Sequence, residues 1–190
     1  MTIGNEADLD GIRRVGQVVA ETLLSMRRAV APGITTHELD EIGAELMRSA
    51  GARSAPHLVY GFPGMNLISV NDEIVHGVPG SRRIEPGDIV KLDVTAELGG
   101  YIADAAETVV VPPASAIAAR MQRCSVAAFH KGVTAARVGR PVEPLAQRFS
   151  ERCMIVDSMF FGNCRGTEWA GRFTNLRRFR TTTRLSRCNV

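Results

Sequence analysis

Two aspartates that lie eleven positions apart are the first residues in this 190-residue chain whose types and spacing indicate chemistry. Asp93 lies in the apolar run IVKLDV and Asp104 in YIADAA, with Gly99-Gly100 between the two runs. A glycine pair suits the two-residue turn of a β-hairpin, and that turn sets Thr95 opposite Asp104. Because side chains alternate along a strand, the two aspartates share one face, roughly 5 to 8 Å apart. We therefore expect their carboxylates to converge.

Carboxylates within apolar strands repel each other strongly unless a cation lies between them. A pair of divalent metal ions bridged by carboxylates removes that repulsion and generates a nucleophilic hydroxide from bound water. The alternative is that one or both aspartates reach solvent or cap a turn. Taken alone, the pair leaves both interpretations open.

A histidine with an unusual sequence context is the third candidate. His76 follows the short apolar run EIV and precedes Gly-Val-Pro-Gly. We expect a short strand to end at this histidine and the glycine and proline to fix its position. Such a residue is either a packed imidazole with a satisfied hydrogen bond or a catalytic group.

Two amphipathic helices are predicted ahead of these motifs. Apolar residues between positions 7 and 30 recur at spacings of three and four, which is typical of a helix with one buried face. The next helix begins at TTHELDEIG, where Thr35 or Thr36 caps the helix and Glu38 lies in the first turn.

The residues that follow the second predicted helix are expected to form mainly strands. From HLVYGFPGMNLISV through EIVHGV, residues 57 to 78, the apolar period approaches two, which predicts short strands. DIVKLDVTAELGGYIADAAETVVV predicts the hairpin that holds both aspartates. A third helix is expected from about Ala114 to Ala136.

SVNDEIVHGVPG and IEPGDIVKLDVTAELGGYIADAAETVVV together closely resemble the type I methionine aminopeptidases, which are metal-dependent enzymes of the pita-bread family. The resemblance covers roughly residues 7 to 141. It implies an α+β, pita-bread (creatinase/aminopeptidase-like) fold, with the N-terminal half and a fragment of the second half present. It also implies removal of the initiator methionine from nascent proteins.

The same resemblance implies roles for individual residues. Asp93 would bind one metal ion in bidentate fashion, Asp104 would bridge two, and His76 would be a catalytic histidine that hydrogen-bonds the scissile peptide. The methionine side chain would lie in a pocket formed by Tyr60, Phe62 and Leu67. The cofactors implied are two divalent ions of Co, Mn, Fe or Zn. The partners implied are nascent polypeptide N-termini that begin with Met, together with the ribosome.

The family's metal site also needs a histidine from an HGxGR motif and two later glutamates, and the sequence lacks that motif. Residues 151 to 190 are irregular and contain eight arginines against three acidic residues. Read one base out of frame, the sixteen codons from Gly166 to Thr182 all permit HGVGRAIHEPPSVPNY, which includes the missing motif. We therefore expect the reading frame to shift between about residues 141 and 158.

This interpretation divides the chain into two parts. Residues 1–150 are the methionine aminopeptidase-like N-terminal half of a catalytic domain, and residues 151–190 are an aberrant, out-of-frame and poorly structured tail. The tail's arginines then need no nucleic-acid function, although interleaved aromatic residues make one tempting. A chain without the later metal ligands is expected to be inactive.

Composition bounds the remaining possibilities. An apolar content of 45% and a net charge of +3 are ordinary for a soluble globular protein. The sequence has no apolar signal segment and no membrane-spanning run, so we expect a cytoplasmic protein with no membrane partner. Two alternatives stay open: a non-catalytic pseudoenzyme or binding module, and another pita-bread peptidase such as a prolidase or aminopeptidase P.

Overall fold

The computed structural model describes residues 3–137 of the chain. The helices are α1 (Glu6–Ala29), α2 (Thr36–Ser49), α3 (Ala55–Tyr60) and α4 (Ala116–Ala135), and the strands are β1 (Arg53–Ser54), β2 (Leu67–Val70), β3 (Ile89–Leu98) and β4 (Tyr101–Val110). Gly4–Ala127 form one compact unit. In the second unit, the described residues include the end of α4, where the Thr134 hydroxyl donates to the His130 carbonyl at 2.7 Å. The boundary predicted at residue 150 and the predicted out-of-frame tail lie outside the described residues.

The first two helices begin at the positions that the sequence predicts. The side chain of Asn5 accepts a hydrogen bond from the Asp8 amide at 2.9 Å and caps α1. At α2, Thr35 accepts from the Glu38 amide at 3.1 Å, while Glu38 accepts from the Thr35 amide at 2.7 Å. These reciprocal bonds form a capping box, with Thr35 as the cap.

The strands form one antiparallel sheet with β3 at its centre. β4 pairs with β3 along its full length, while β2 and β1 pair with different parts of β3 along its other edge. Gly99 and Gly100 have φ angles of 61° and 87°, as the predicted two-residue turn requires. Leu98 pairs with Tyr101 and Thr95 with Asp104, so the predicted register is confirmed.

The core lies on one face of this sheet. Alternate residues of β3 are fully buried on that face, where they pack against α1 and α2: Val90, Leu92, Val94 and Ala96. The helices contribute Val15, Val19, Leu23, Met26, Leu39 and Met47. Burying one such aliphatic side chain contributes about 1.5 to 3 kcal/mol, so this alternation fixes which face of the sheet is packed. The intervening residues of β3 therefore project from the opposite face.

The prediction of strands across residues 57 to 78 is wrong except at β2. Ser54 caps α3 and proline lies in its first turn, so HLVY continues a short helix that ends at Gly61. The run before His76 is irregular, because Asn71 and His76 have φ angles of 56° and 60°. A strand cannot include residues in that left-handed region.

The first part of α4 follows the hairpin, close to the bounds that the sequence predicts. The Ser115 hydroxyl accepts from the Ala118 amide at 3.1 Å, and Gln122 donates to the Thr108 carbonyl of β4 at 2.7 Å. Helices combined with an antiparallel sheet confirm the α+β class. No helix within residues 3–137 has the length and apolar character needed to cross a membrane.

Candidate active site

The predicted site residues lie on the sheet face that α1 and α2 leave uncovered. Leu67 of β2 is directly opposite Asp93 of β3, and Thr95 is directly opposite Asp104 of β4. Residues opposite each other in antiparallel strands project to the same face. Three strands therefore bring Leu67, Asp93 and Asp104 to one surface.

The two aspartates form a close pair with different neighbours. Asp104 is opposite Thr95, so it lies diagonally across the β3–β4 pair from Asp93 on the same face. The Thr95 hydroxyl donates to Asp104 Oδ1 at 2.8 Å, and the Lys91 ammonium lies 3.6 Å from Asp93 Oδ2. Between residues 3 and 137, no cluster of three or more His, Cys, Asp or Glu side chains is arranged to hold a metal ion.

Burial and the neighbouring Asp104 charge raise the pKa of Asp93, while Lys91 and His76 oppose the rise. Burial and repulsion from Asp104 both disfavour a second negative charge in the pair. A divalent cation would favour that charge, and carboxylate oxygens suit such ions. The pair therefore fits part of a metal site, with two carboxylate side chains as donors.

Tyr60 and His76 lie near the carboxylates, and Phe62 contacts Tyr60. The ring of Tyr60 stacks on His76 with centroids 6.3 Å apart and meets the edge of Phe62 at 6.2 Å. Burial, together with the charges of Asp93 and Asp104, raises the pKa of Tyr60. Its phenol therefore interacts electrostatically with both carboxylates. Phe62 is buried, whereas Tyr60 and His76 are exposed. The exposed rings of Tyr60 and His76 thus lie next to acidic groups on this surface.

His76 is held in place by the backbone of the next residue. The Ile68 amide donates to the Gly77 carbonyl at 3.0 Å, and the Gly77 amide donates to the Ser69 hydroxyl at 3.0 Å. A Cβ on Gly77 would lie 2.2 Å from the Ile68 carbonyl oxygen, so only glycine allows this approach. The backbone is therefore fixed against β2 while the imidazole stays accessible.

A buried carboxylate fixes the segment between Phe62 and Leu67. Asp40 of α2 accepts from the amides of Met65 and Asn66 at 3.1 and 2.7 Å, and from the Asn66 side chain at 2.9 Å. Sequence reasoning missed this role. The available signal was an aspartate next to Leu39, on the apolar face of the predicted helix.

A second polar pair holds the base of the loop that contains His76. Asn71 donates to Asp88 Oδ1 at 2.8 Å and accepts from the Ile89 amide at 2.8 Å. The Asp88 carbonyl accepts from the Val111 amide at 2.8 Å. This role was also missed, although Asn-Asp directly after a strand is typical of a turn with a left-handed residue.

Comparisons with known proteins agree with this geometry. Residues 10–155 match the model of metallopeptidase family M24. Methionine aminopeptidase 2 of Bacillus subtilis (strain 168) is 37% identical over 141 residues, which cover 74% of this chain and 57% of the relative. The chain thus spans less than two thirds of that protein's length.

Solved structures show the same similarity. The methionine aminopeptidase of Rickettsia prowazekii superposes with a TM-score of 0.77 at 28% identity, covering 82% of this chain and 62% of the other. The prolidase of Pyrococcus furiosus superposes with a TM-score of 0.70 at 20% identity, covering 80% and 44%. The prolidase shares the fold, whereas the methionine aminopeptidases also share sequence.

Proposed function

The chain belongs to metallopeptidase family M24 and has that family's pita-bread fold, and from this premise we propose that its protein removes the initiator methionine from nascent polypeptides. The supporting observation is the convergence of Asp93 and Asp104 beside Tyr60 and His76 on the open face of the sheet. The proteins named above that share sequence as well as fold with this chain are methionine aminopeptidases, which supports this substrate over a proline-containing one.

Asp93 and Asp104 are the residues that would hold divalent metal. We propose two ions, of Co, Mn, Fe or Zn. Bound ions of this kind polarise a carbonyl and generate a hydroxide nucleophile near neutral pH. The Thr95 hydroxyl orients Asp104, and Leu67 is directly opposite Asp93 on the adjacent strand. The remaining ligands would come from the HGxGR-type histidine and the glutamates that follow it in the restored reading frame.

The other site residues would bind and orient the peptide. His76 lies on a backbone that Gly77 fixes, which supports a role for its imidazole as a hydrogen-bond partner of the scissile peptide. Tyr60, Phe62 and Leu67 are aromatic and aliphatic side chains, which would suit contact with a flexible thioether. Because nascent chains emerge at ribosomes, the proposal includes a cytoplasmic location and the ribosome as a partner.

The proposal is tested by determining the reading frame and assaying the protein that it encodes. Sequencing the DNA across codons 141 to 190 is expected to show HGVGR and HEPP in a neighbouring frame. A protein with that frame restored is expected to release methionine from Met-Ala-Ser when supplied with Mn²⁺ or Co²⁺.

Two control variants and a second peptide make the test specific. Asp93→Asn and Asp104→Asn should each abolish measurable turnover of the frame-restored protein, since each removes a ligand charge. Cleavage of an Xaa-Pro peptide in place of Met-Ala-Ser would assign the protein to the prolidase type. Undiminished turnover in both variants would refute the proposed site.

A further inference from the structure

Lys91 is a cationic group on the same face of β3 as the carboxylate pair. It precedes Asp93 by two residues, and its ammonium lies 3.6 Å from Asp93 Oδ2. The two side chains are only 29% and 20% exposed. An ion pair so far withdrawn from water is weakly screened compared with a surface pair.

The neighbours of Lys91 on this face leave Asp93 as its acidic partner. Ser69 is opposite Lys91 on β2, and Thr108 is opposite it on β4. Both neighbours are uncharged. In the described part of the chain, Asp93 is the acidic group within ion-pair distance of Lys91.

We propose that Lys91 is a resident counter-ion that competes with divalent metal for Asp93 and thereby sets the metal affinity of the site. This inference rests on the proposed function, because it takes Asp93 and Asp104 as the groups that bind the cation. Without metal, the ammonium offsets part of the repulsion between the two carboxylates. With metal bound, ammonium and metal repel each other across the same carboxylate.

The competition has a signature that a purely structural lysine lacks. Removing the ammonium leaves the carboxylate pair less compensated, so the metal-free protein should lose stability. The same removal relieves repulsion in the metal-bound protein, so metal affinity should rise. Stability and affinity therefore change in opposite directions, whereas loss of a structural contact would lower both.

The experiment measures Mn²⁺ binding by isothermal titration calorimetry to the frame-restored protein, which serves as the unchanged chain for the variants that follow. Lys91→Gln is expected to bind Mn²⁺ about three- to thirty-fold more tightly than the unchanged chain, as one nearby charge at intermediate dielectric predicts. Lys91→Met tests the same loss of charge while keeping an apolar stem. Lys91→Arg keeps the charge and should bind as the unchanged chain does.

Two further variants separate the local effect from overall charge. Arg14→Gln removes one positive charge from an exposed position on α1, behind the opposite face of the sheet, and should leave the affinity unchanged. In an Asp93→Asn background, Lys91→Gln should strengthen Mn²⁺ binding less than it does in the unchanged chain, because the shared partner is gone.

The outcomes distinguish this inference from the proposed function. If Asp93→Asn weakens Mn²⁺ binding but Lys91→Gln and Lys91→Met do not strengthen it, the counter-ion inference is wrong while the metal site stands. If Asp93→Asn and Asp104→Asn leave Mn²⁺ binding unchanged, the carboxylate pair is not the metal site, and the proposed function fails with it.

Discussion

Asp93 and Asp104 are the same residue type on paired strands, yet they differ in burial and in their polar neighbours. Asp93 is half-buried opposite Leu67 and beside Lys91, so its charge depends on the local electrostatic field. Asp104 is exposed and accepts a hydrogen bond from the Thr95 hydroxyl. Within residues 3–137, the Thr95 hydroxyl is the donor that orients Asp104, and it can be removed by mutation.

Thr95→Val removes this hydroxyl while keeping a β-branched side chain of similar volume. We expect Mn²⁺ affinity to fall by about tenfold, because groups that orient a ligand typically change affinity by 10- to 100-fold. Isothermal titration calorimetry measures the change, and Thr95→Ser, which keeps the hydroxyl, is the matched control. Equal affinities in the valine and serine variants would show that the hydroxyl does not orient Asp104.

At the scale of elements, β2 connects the two sides of the site. Leu67 faces Asp93, while Ile68 and Ser69 bind the backbone of Gly77. A four-residue strand thus carries Leu67 and also holds the backbone next to the histidine. The position of His76 should therefore depend on close packing at Gly77.

Gly77→Ala should destabilise the fold, because the new methyl group would lie 2.2 Å from the Ile68 carbonyl oxygen. Relieving that overlap requires a backbone shift, and we expect a loss of about 1 to 3 kcal/mol in the free energy of unfolding. Urea denaturation measures the loss. Gly80→Ala is the matched control, since a Cβ there meets nothing within 4 Å. A Gly77 variant as stable as the Gly80 variant would contradict the prediction.

The start of α2 should make stability depend on pH. Hydrogen bonds from the backbone and side chain of Thr35 lower the pKa of Glu38 below 4.5. A lowered pKa means that the ionised carboxylate stabilises the fold above pH 4.5, and that this contribution is lost as the pH falls through the lowered value. Glu38→Gln should therefore show a smaller loss of stability below pH 4.5 in denaturation curves. If both proteins lost the same stability below pH 4.5, Glu38 would not be the source of this pH dependence.

The sequence predicts those elements whose signals are local. The hairpin and the capping box are defined by residues close together in the chain, and both are found as expected. The loop around His76 depends instead on distant partners, since Asn71 reaches Asp88 and Gly77 reaches Ser69. Periodicity does not record such contacts, and the apolar residues of this loop therefore resemble a strand in sequence.

At the scale of the whole molecule, the open face of the sheet is bordered by exposed apolar residues. Ile74, Val75 and Val78 of the loop are 75%, 52% and 57% exposed, and Tyr60 is 55% exposed. Apolar surface of this kind is typical of an interface. The chain also spans only 57% of the length of its Bacillus relative.

We therefore expect the 190-residue chain to self-associate and to bind the dye ANS, and the frame-restored protein to be monomeric and to bind less dye. Size-exclusion chromatography and fluorescence measure the two properties. A soluble monomer of the 190-residue chain with a cooperative thermal transition would contradict this expectation.

Among the strands that the structure describes, β4 pairs with β3 alone. Its outer edge therefore presents backbone N–H and C=O groups to any segment that arrives there. Asp104 belongs to this edge strand. A polypeptide that extends the sheet at β4 would thus come to lie alongside Asp104, which we propose as a metal ligand, so extension of the sheet and completion of the proposed coordination sphere would be thermodynamically linked.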